Sequence, residues 1–298
     1  MTLYADRPPF RSWTLEVGHG HRLHVDEWGT PQGTAALLLH GGPGSGCSPL
    51  LRRFFDPERY RVIGLDQRGA GRSLPRGGTA HNTSAHLLDD LRLLRRRLGL
   101  ARWLVVGGSW GATLALAHAL AEPQAVAALL LRALFVPSQA NIDAFFAGGP
   151  GLAAWAAALD GSPAEKRGAA LAWWRHERER SGITDAGAAP AGQALDALVD
   201  RCRIQAHYLR HRCWLAEPPL LQRCADLPAV PTLLLHARDD RVCPPAAAQA
   251  LQQRCPHLRL QWIARGGHDP AQPEMAAAMV AALDHFAAHG AWPMATSA

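Results

Sequence analysis

Lysine is almost missing from this 298-residue chain: Lys166 stands alone among 31 basic residues, so the formal charge of +6 is carried by arginine. The arginines are scattered rather than gathered into a stripe. Their densest run, Arg92 to Arg97, falls late in an amphipathic period, where positive charge suits the negative end of a helix and reads as a solvated face. A nucleic-acid partner is not expected. Six cysteines (Cys47, Cys202, Cys213, Cys224, Cys243, Cys255) include no C-x-x-C pair and no dense framework, which excludes a disulfide-stapled fold and points to free thiols in a reducing compartment. No apolar run approaches the ~18 residues of a membrane span, and MTLYADRPPFRSW has no apolar centre of signal-peptide length. The expectation is a cytoplasmic protein with no membrane partner. Neither G-x-x-x-x-G-K-[ST] nor a G-x-G-x-x-G fingerprint before a helix is present, so no nucleotide cofactor is implied. H-E-x-x-H is absent too. The cluster His19, His21 and His24 and the pair His207 and His211 offer no convincing ligand set, so no metal and no other cofactor is expected.

What is present is an ordinary globular composition, 48% hydrophobic and 19% charged. Residues 12–28 alternate around Gly18 and Gly20, which predicts an opening antiparallel hairpin. Short apolar runs then follow at 35–39, 61–65, 103–106, 128–131 and 232–235, too apolar for a one-sided sheet and therefore read as buried parallel strands. Between them lie helical periods, the clearest with Leu87, Leu91, Leu94 and Leu98 on one face, Asp89 and Asp90 early and arginines late. This alternation predicts a doubly wound α/β fold. From about 137 to 227 the strand signal stops and the chain turns rich in Ala, Trp and Arg, which predicts a helical cap inserted into a discontinuous core of 1–136 and 228–298. The cap aromatics Trp155, Trp173, Trp174, Tyr208 and Trp214 fit two places equally, the cap's own core or the space above the site.

The most informative string is Gly107-Gly-Ser-Trp-Gly111, placed after an apolar run and before a helical one. G-x-S-x-G in that setting is the nucleophile elbow, a strained turn that lifts a serine hydroxyl clear of the sheet. Ser109 is the candidate nucleophile. A serine of ordinary pKa needs a base, and the base an orienting acid, in the chain order Ser, Asp, His. His268 in Gly266-Gly-His-Asp269 supplies the base, and Asp239 or Asp240 after the run at 232–235 supplies the acid; spacing does not separate these two. His40-Gly-Gly-Pro-Gly44 is a loop whose bare backbone N–H groups can approach a reacting oxygen. Pro43 has none, so the donors are assigned to Gly42 and to Trp110, the residue after the nucleophile.

Taken together, Leu39-His-Gly-Gly-Pro-Gly44, Asp66-Gln-Arg-Gly-Ala-Gly-Arg-Ser73 and Gly107-Gly-Ser-Trp-Gly-Ala-Thr-Leu-Ala-Leu116 closely resemble the proline iminopeptidases, α/β-hydrolases that remove amino-terminal proline. The resemblance implies an α/β-hydrolase fold, a mostly parallel doubly wound sheet with an inserted helical cap. It places Asp240 rather than Asp239 at the acid position, implies a serine mechanism without metal, and implies a small peptide or amide with a free amino terminus as substrate. In the cap, Ala172-Trp-Trp-Arg-His-Glu177 resembles the family's tryptophan-rich helix ending in an acid. Arg203-Ile-Gln-Ala-His-Tyr208 resembles its second cap motif, with Gln205 where the family has glutamate. Glu177 and Gln205 are thereby the expected holders of the substrate amine, with Glu217 as a possible compensating acid. Losing one charge from such a hydrogen bond costs about 1 kcal/mol, several-fold in affinity. An esterase or amidase for neutral substrates and a non-catalytic ligand-binding relative are the alternatives; nothing in the sequence fixes the oligomeric state.

Overall fold

Burial on both faces is what turns short apolar runs into central strands, and the computed structural model, which describes residues 3–183 and 187–293, shows how the chain achieves it. Strands β1 (Arg11–Glu16) and β2 (Arg22–Gly29) pair antiparallel across the turn at Gly18-His19-Gly20. They join β3 (Thr34–Leu39), β4 (Tyr60–Leu65), β5 (Trp103–Gly108), β6 (Val126–Arg132), β7 (Thr232–Ala237) and β8 (Leu258–Ile263) in one eight-stranded sheet. Its order is β1-β2-β4-β3-β5-β6-β7-β8, antiparallel at the β1 edge and parallel from β4 onward. The period of two sends Leu37, Leu39, Val105 and Leu129 to one face and Ala36, Leu38, Leu104 and Leu130 to the other.

Helices cover both faces. The first receives α2 (Ser84–Arg97), α3 (Trp110–Ala121) and α9 (Pro245–Arg254); the second receives α10 (Pro273–His289) and the one-turn α1 (Pro49–Arg52). In α2 the expected stripe is buried through Leu87, Leu91 and Leu94, and Thr83 caps the amino end by accepting the His86 N–H. Three charges there differ from the sequence reading. Asp90 is not a solvent-facing dipole partner but a buried carboxylate gripped at 2.7 Å on both oxygens by Arg68. Arg92 and Arg95 both donate to Glu122, just beyond the end of α3, so part of the arginine run is an ion-pair network. The partner of each lies far along the chain, where sequence periodicity carries no information.

Between β6 and β7 the described residues form helices: α4 (Gln139–Phe146), α5 (Gly151–Asp160), α6 (Pro163–Arg180), α7 (Gly192–Arg210) and the short α8 (Leu220–Arg223). Ser162 and Glu165 close a reciprocal capping box at the start of α6. These helices share an apolar cluster built on Phe146, Trp155, Leu159, Trp173 and Leu198. Trp155 and Trp173 stack at 5.5 Å between ring centres, which places them in the helical core. Among the described residues no single helix is long and apolar enough to cross a membrane.

Candidate active site

The site begins with a bend that most residues avoid. Ser109 sits between β5 and α3 at φ 57°, ψ −123°, a conformation that costs on the order of 1–3 kcal/mol for a residue with a side chain. The glycines around it are required by contact. A Cβ on Gly107 would meet the Gly111 carbonyl oxygen at 2.3 Å, and one on Gly111 would meet the Leu39 oxygen at 2.2 Å. Strand, turn, helix and the end of β3 therefore pack backbone to backbone, which holds the serine turn hard against the loop His40–Gly44.

That loop is fastened by Gln67. Its N–H donates to His40 Nε2 at 3.0 Å, its side-chain amide donates to the His40 carbonyl at 3.2 Å, and its side-chain oxygen accepts Trp110 Nε1 at 2.8 Å. One residue thus ties together the two segments carrying Gly42 and Trp110. Burial pushes the His40 pKa down; the neutral ring accepts at Nε2 and donates from Nδ1 to the Gly41 carbonyl at 3.0 Å. Asp66 beside it accepts the N–H groups of Cys47 at 2.7 Å and Arg72 at 2.9 Å. The Asp66-to-Ser73 motif is a loop clamp.

At the carboxyl end of β7, Asp240 Oδ2 lies 2.8 Å from His268 Nδ1, while Oδ1 accepts the N–H groups of Val242 at 2.9 Å and Cys243 at 2.8 Å. Burial alone would raise the Asp240 pKa, but His268 and the Cys243 N–H bring it below the ordinary value of 3.8. Asp239 is used elsewhere, accepting the Gly267 N–H at 3.0 Å and so holding the loop that presents His268. Arg132, which the sequence reading did not single out, donates to the His268 carbonyl at 2.7 Å and lies flat against Gly108. Its signal was weak, a lone arginine ending an apolar strand.

A pocket of about 450 Å³, open mouth included, gathers Gly42, Ser109, Trp110, Glu177 and Gln205 on its wall. Cys243 lines it as well and joins it to the pair behind: the thiol contacts the Ser109 hydroxyl, and its sulfur, an Asp240 oxygen and a His268 nitrogen all lie within 4.8 Å of one another. Burial first, and then Asp240, push the Cys243 pKa well above its usual value, so the thiol is protonated. The rest of the lining is apolar, through Phe135, Ile142, Phe145, Leu209 and Val242. Phe135 and Phe145 are the pocket's other aromatics, whereas of the five anticipated cap aromatics none lines it. Tyr208 packs against Trp110 at 5.1 Å and donates to Asn82, and Trp214 is surface-exposed.

Two polar groups face the nucleophile from the cap. Glu177, on α6, accepts a hydrogen bond from Arg201 on α7. Gln205 is buried over Gly42 and, among the described residues, its side-chain oxygen has no hydrogen-bond partner. Glu217 is 81% exposed, faces Arg212 at 3.9 Å and does not reach the pocket.

Residues 35–271 match the model of the alpha/beta hydrolase fold family. The chain is 34% identical over 312 aligned residues to a proline iminopeptidase of Xylella fastidiosa, covering 96% of this chain and 99% of that one. It is equally 34% identical to the proline iminopeptidase of Arabidopsis thaliana, covering 96% of this chain and 82% of the plant protein. The chain belongs to the proline iminopeptidase family of α/β hydrolases. Similar solved structures include an esterase from Exiguobacterium antarcticum (TM-score 0.67, 18% identity, covering 92% of this chain and 98% of that one). A putative epoxide hydrolase from Pseudomonas aeruginosa matches at TM-score 0.65 and 23% identity, covering 95% and 98%. These likenesses concern the fold shared by iminopeptidases and other hydrolases alike. As a proline iminopeptidase relative, the chain is a hydrolase.

Proposed function

We propose that this hydrolase releases amino-terminal proline from small peptides or amides, with Ser109 as nucleophile, His268 as base and Asp240 as its orienting acid. The observation that carries the reading is one pocket on whose wall Ser109, Gly42, Trp110 and Glu177 all stand. Ser109 Oγ attacks the prolyl carbonyl as His268 Nε2 takes its proton; that transfer is the step the proposal adds to the contacts described above. The Asp240 carboxylate 2.8 Å from Nδ1 fixes the tautomer and stabilises the imidazolium. The backbone N–H groups of Gly42 and Trp110 hold the developing oxyanion, and His268 then protonates the departing amine. Water repeats the sequence on the acyl-enzyme. The apolar wall of Phe135, Phe145 and Ile142 suits a pyrrolidine ring, and Glu177 with Gln205 receives its secondary ammonium. Residues 137–227 act in this reading as the cap that selects substrate over the core of 1–136 and 228–298. Six unpaired cysteines accord with action in the cytoplasm.

A second reading, an esterase or amidase for neutral acyl groups, is favoured by one specific feature: Glu177 is already paired with Arg201 and Gln205 carries no charge. Release of a chromogenic amine from L-proline amide, beside the alanine amide and a short acyl ester, tests both with wild type and Ser109→Ala. Proline-selective turnover lost in Ser109→Ala supports the first reading. Ester turnover without proline-amide turnover overturns it in favour of the second.

A further inference from the structure

Three histidines from three segments meet on the surface away from the pocket. His19 is at the β1–β2 turn, His81 in the loop before α2, and His86 in the first turn of α2. Each offers a ring nitrogen within 4.8 Å of the other two. The His19 and His81 rings stack at 4.0 Å between centres, and His86 stands edge-on to both at 6.0 and 5.8 Å. Sequence spacing had grouped His19 with His21 and His24. Folding separates them: His21 Nε2 lies 2.8 Å from the Ala80 carbonyl and His24 Nε2 lies 2.9 Å from Asp26.

One buried ion pair fixes all three segments. Arg68 grips Asp90 of α2 with two hydrogen bonds, donates to the His81 carbonyl at 2.6 Å and to the Val17 carbonyl at 3.2 Å. The helix that carries His86, the loop that carries His81 and the turn that carries His19 are thereby held to one guanidinium. Both His19 (φ 52°) and His81 (φ 48°) adopt left-handed backbone, uncommon for a residue with a side chain. On the third ligand, Nδ1 of His86 lies 2.8 Å from Thr83 Oγ1; a proton donated there leaves Nε2 as the lone-pair nitrogen, as in metal-bound histidines, whose other ring nitrogen donates to a nearby acceptor.

We infer that His19, His81 and His86 form a three-imidazole site for a borderline divalent transition-metal ion such as Zn2+. Imidazoles without a carboxylate suit Zn2+, Cu2+ or Ni2+ rather than Mg2+ or Ca2+. Tetrahedral Zn–N bonds set ligand nitrogens about 3.3 Å apart, a small closure for side chains of which two are exposed. The bound ion bridges the β1–β2 turn to the amino end of α2.

The test is calorimetric titration of tag-free protein with ZnCl2, paired with thermal unfolding with and without the ion. Asp240, Cys243 and His268 form a second grouping of the same span, inside the active site, and must be separated from the first. Asparagine tolerates left-handed backbone, so His81→Asn and His19→Asn remove ligands with little strain. One-to-one binding that raises Tm, weakened at least tenfold by either substitution and unchanged in Cys243→Ala, supports the site. Absence of binding to folded wild type, or binding indifferent to both histidine substitutions, overturns it. Binding lost in Cys243→Ala but kept in His81→Asn assigns the ion to the active site and overturns it equally.

Discussion

Arg201 donates to the carboxylate of Glu177, the acidic group on the wall of the pocket that holds Ser109. An amine-bearing substrate must therefore share that carboxylate with a resident cation. Replacing Arg201 by methionine, which keeps much of the stem's bulk, is expected to lower KM for L-proline amide several-fold with kcat little changed, an effect of about 1 kcal/mol. Steady-state kinetics on proline amide and a short ester check it; a raised KM would show that Arg201 serves to position Glu177. Glu177→Gln is expected to raise KM for the amide and spare the ester.

Gln67 governs two segments at once. In Gln67→Leu, the His40 carbonyl loses its side-chain donor and Trp110 Nε1 loses its acceptor, at about 1–3 kcal/mol for a buried polar group left unpaired. The backbone donor to His40 survives the substitution, so the larger loss falls on Trp110. The expected result is a lower Tm and a kcat reduced about tenfold, less than the ~10²–10³ lost with an oxyanion donor itself. Circular dichroism melts and kcat on whichever substrate turns over measure the two effects.

Stability should weaken in acid because of Asp240. Its folded-state pKa lies below the ordinary value of 3.8, so the carboxylate favours the folded state above that value and the contribution disappears as pH falls through the lower, folded one. Asp240→Asn removes this dependence. The Tm difference between wild type and Asp240→Asn, followed from pH 6 to pH 2.5, is expected to shrink with acidification; a gap that widens would reverse the sign.

Two glycines make a contrasting pair. Gly111→Ala drives a methyl to 2.2 Å from the Leu39 carbonyl, backbone against backbone, and should cost more than about 3 kcal/mol or prevent folding. Gly168, within α6 and exposed, has nothing within 4 Å of an added Cβ, so Gly168→Ala should raise stability by about 0.5–1 kcal/mol. Urea unfolding of the two variants gives both numbers.

The strands were legible because two-sided burial demands unbroken apolar runs, and the elbow because a backbone contact at Gly107 and Gly111 admits no side chain. The competition between Asp239 and Asp240 was not settled by spacing, since adjacent residues differ only in where they point; Asp240 faces His268 and Asp239 faces the Gly267 N–H. Phe135 escaped notice because an apolar residue beyond a strand end looks like any loop, and Phe145 because it lies in α4, where sequence does not tell which apolar side chain meets the pocket. Arg201, Arg132 and the His19–His81–His86 meeting were illegible for one reason. Each gains its meaning from a partner tens to more than a hundred residues away, and no local period encodes that distance.

β6 and β7 are hydrogen-bonded neighbours, with Leu130 opposite Leu233, although about a hundred residues separate them along the chain. The helices between them leave and re-enter the sheet at adjacent strands, which lie only about 4.8 Å apart. The inserted helices are thus an appendage with closely spaced roots, exchangeable for other helices without rethreading the sheet. The order of the eight strands is therefore independent of what the insertion contains.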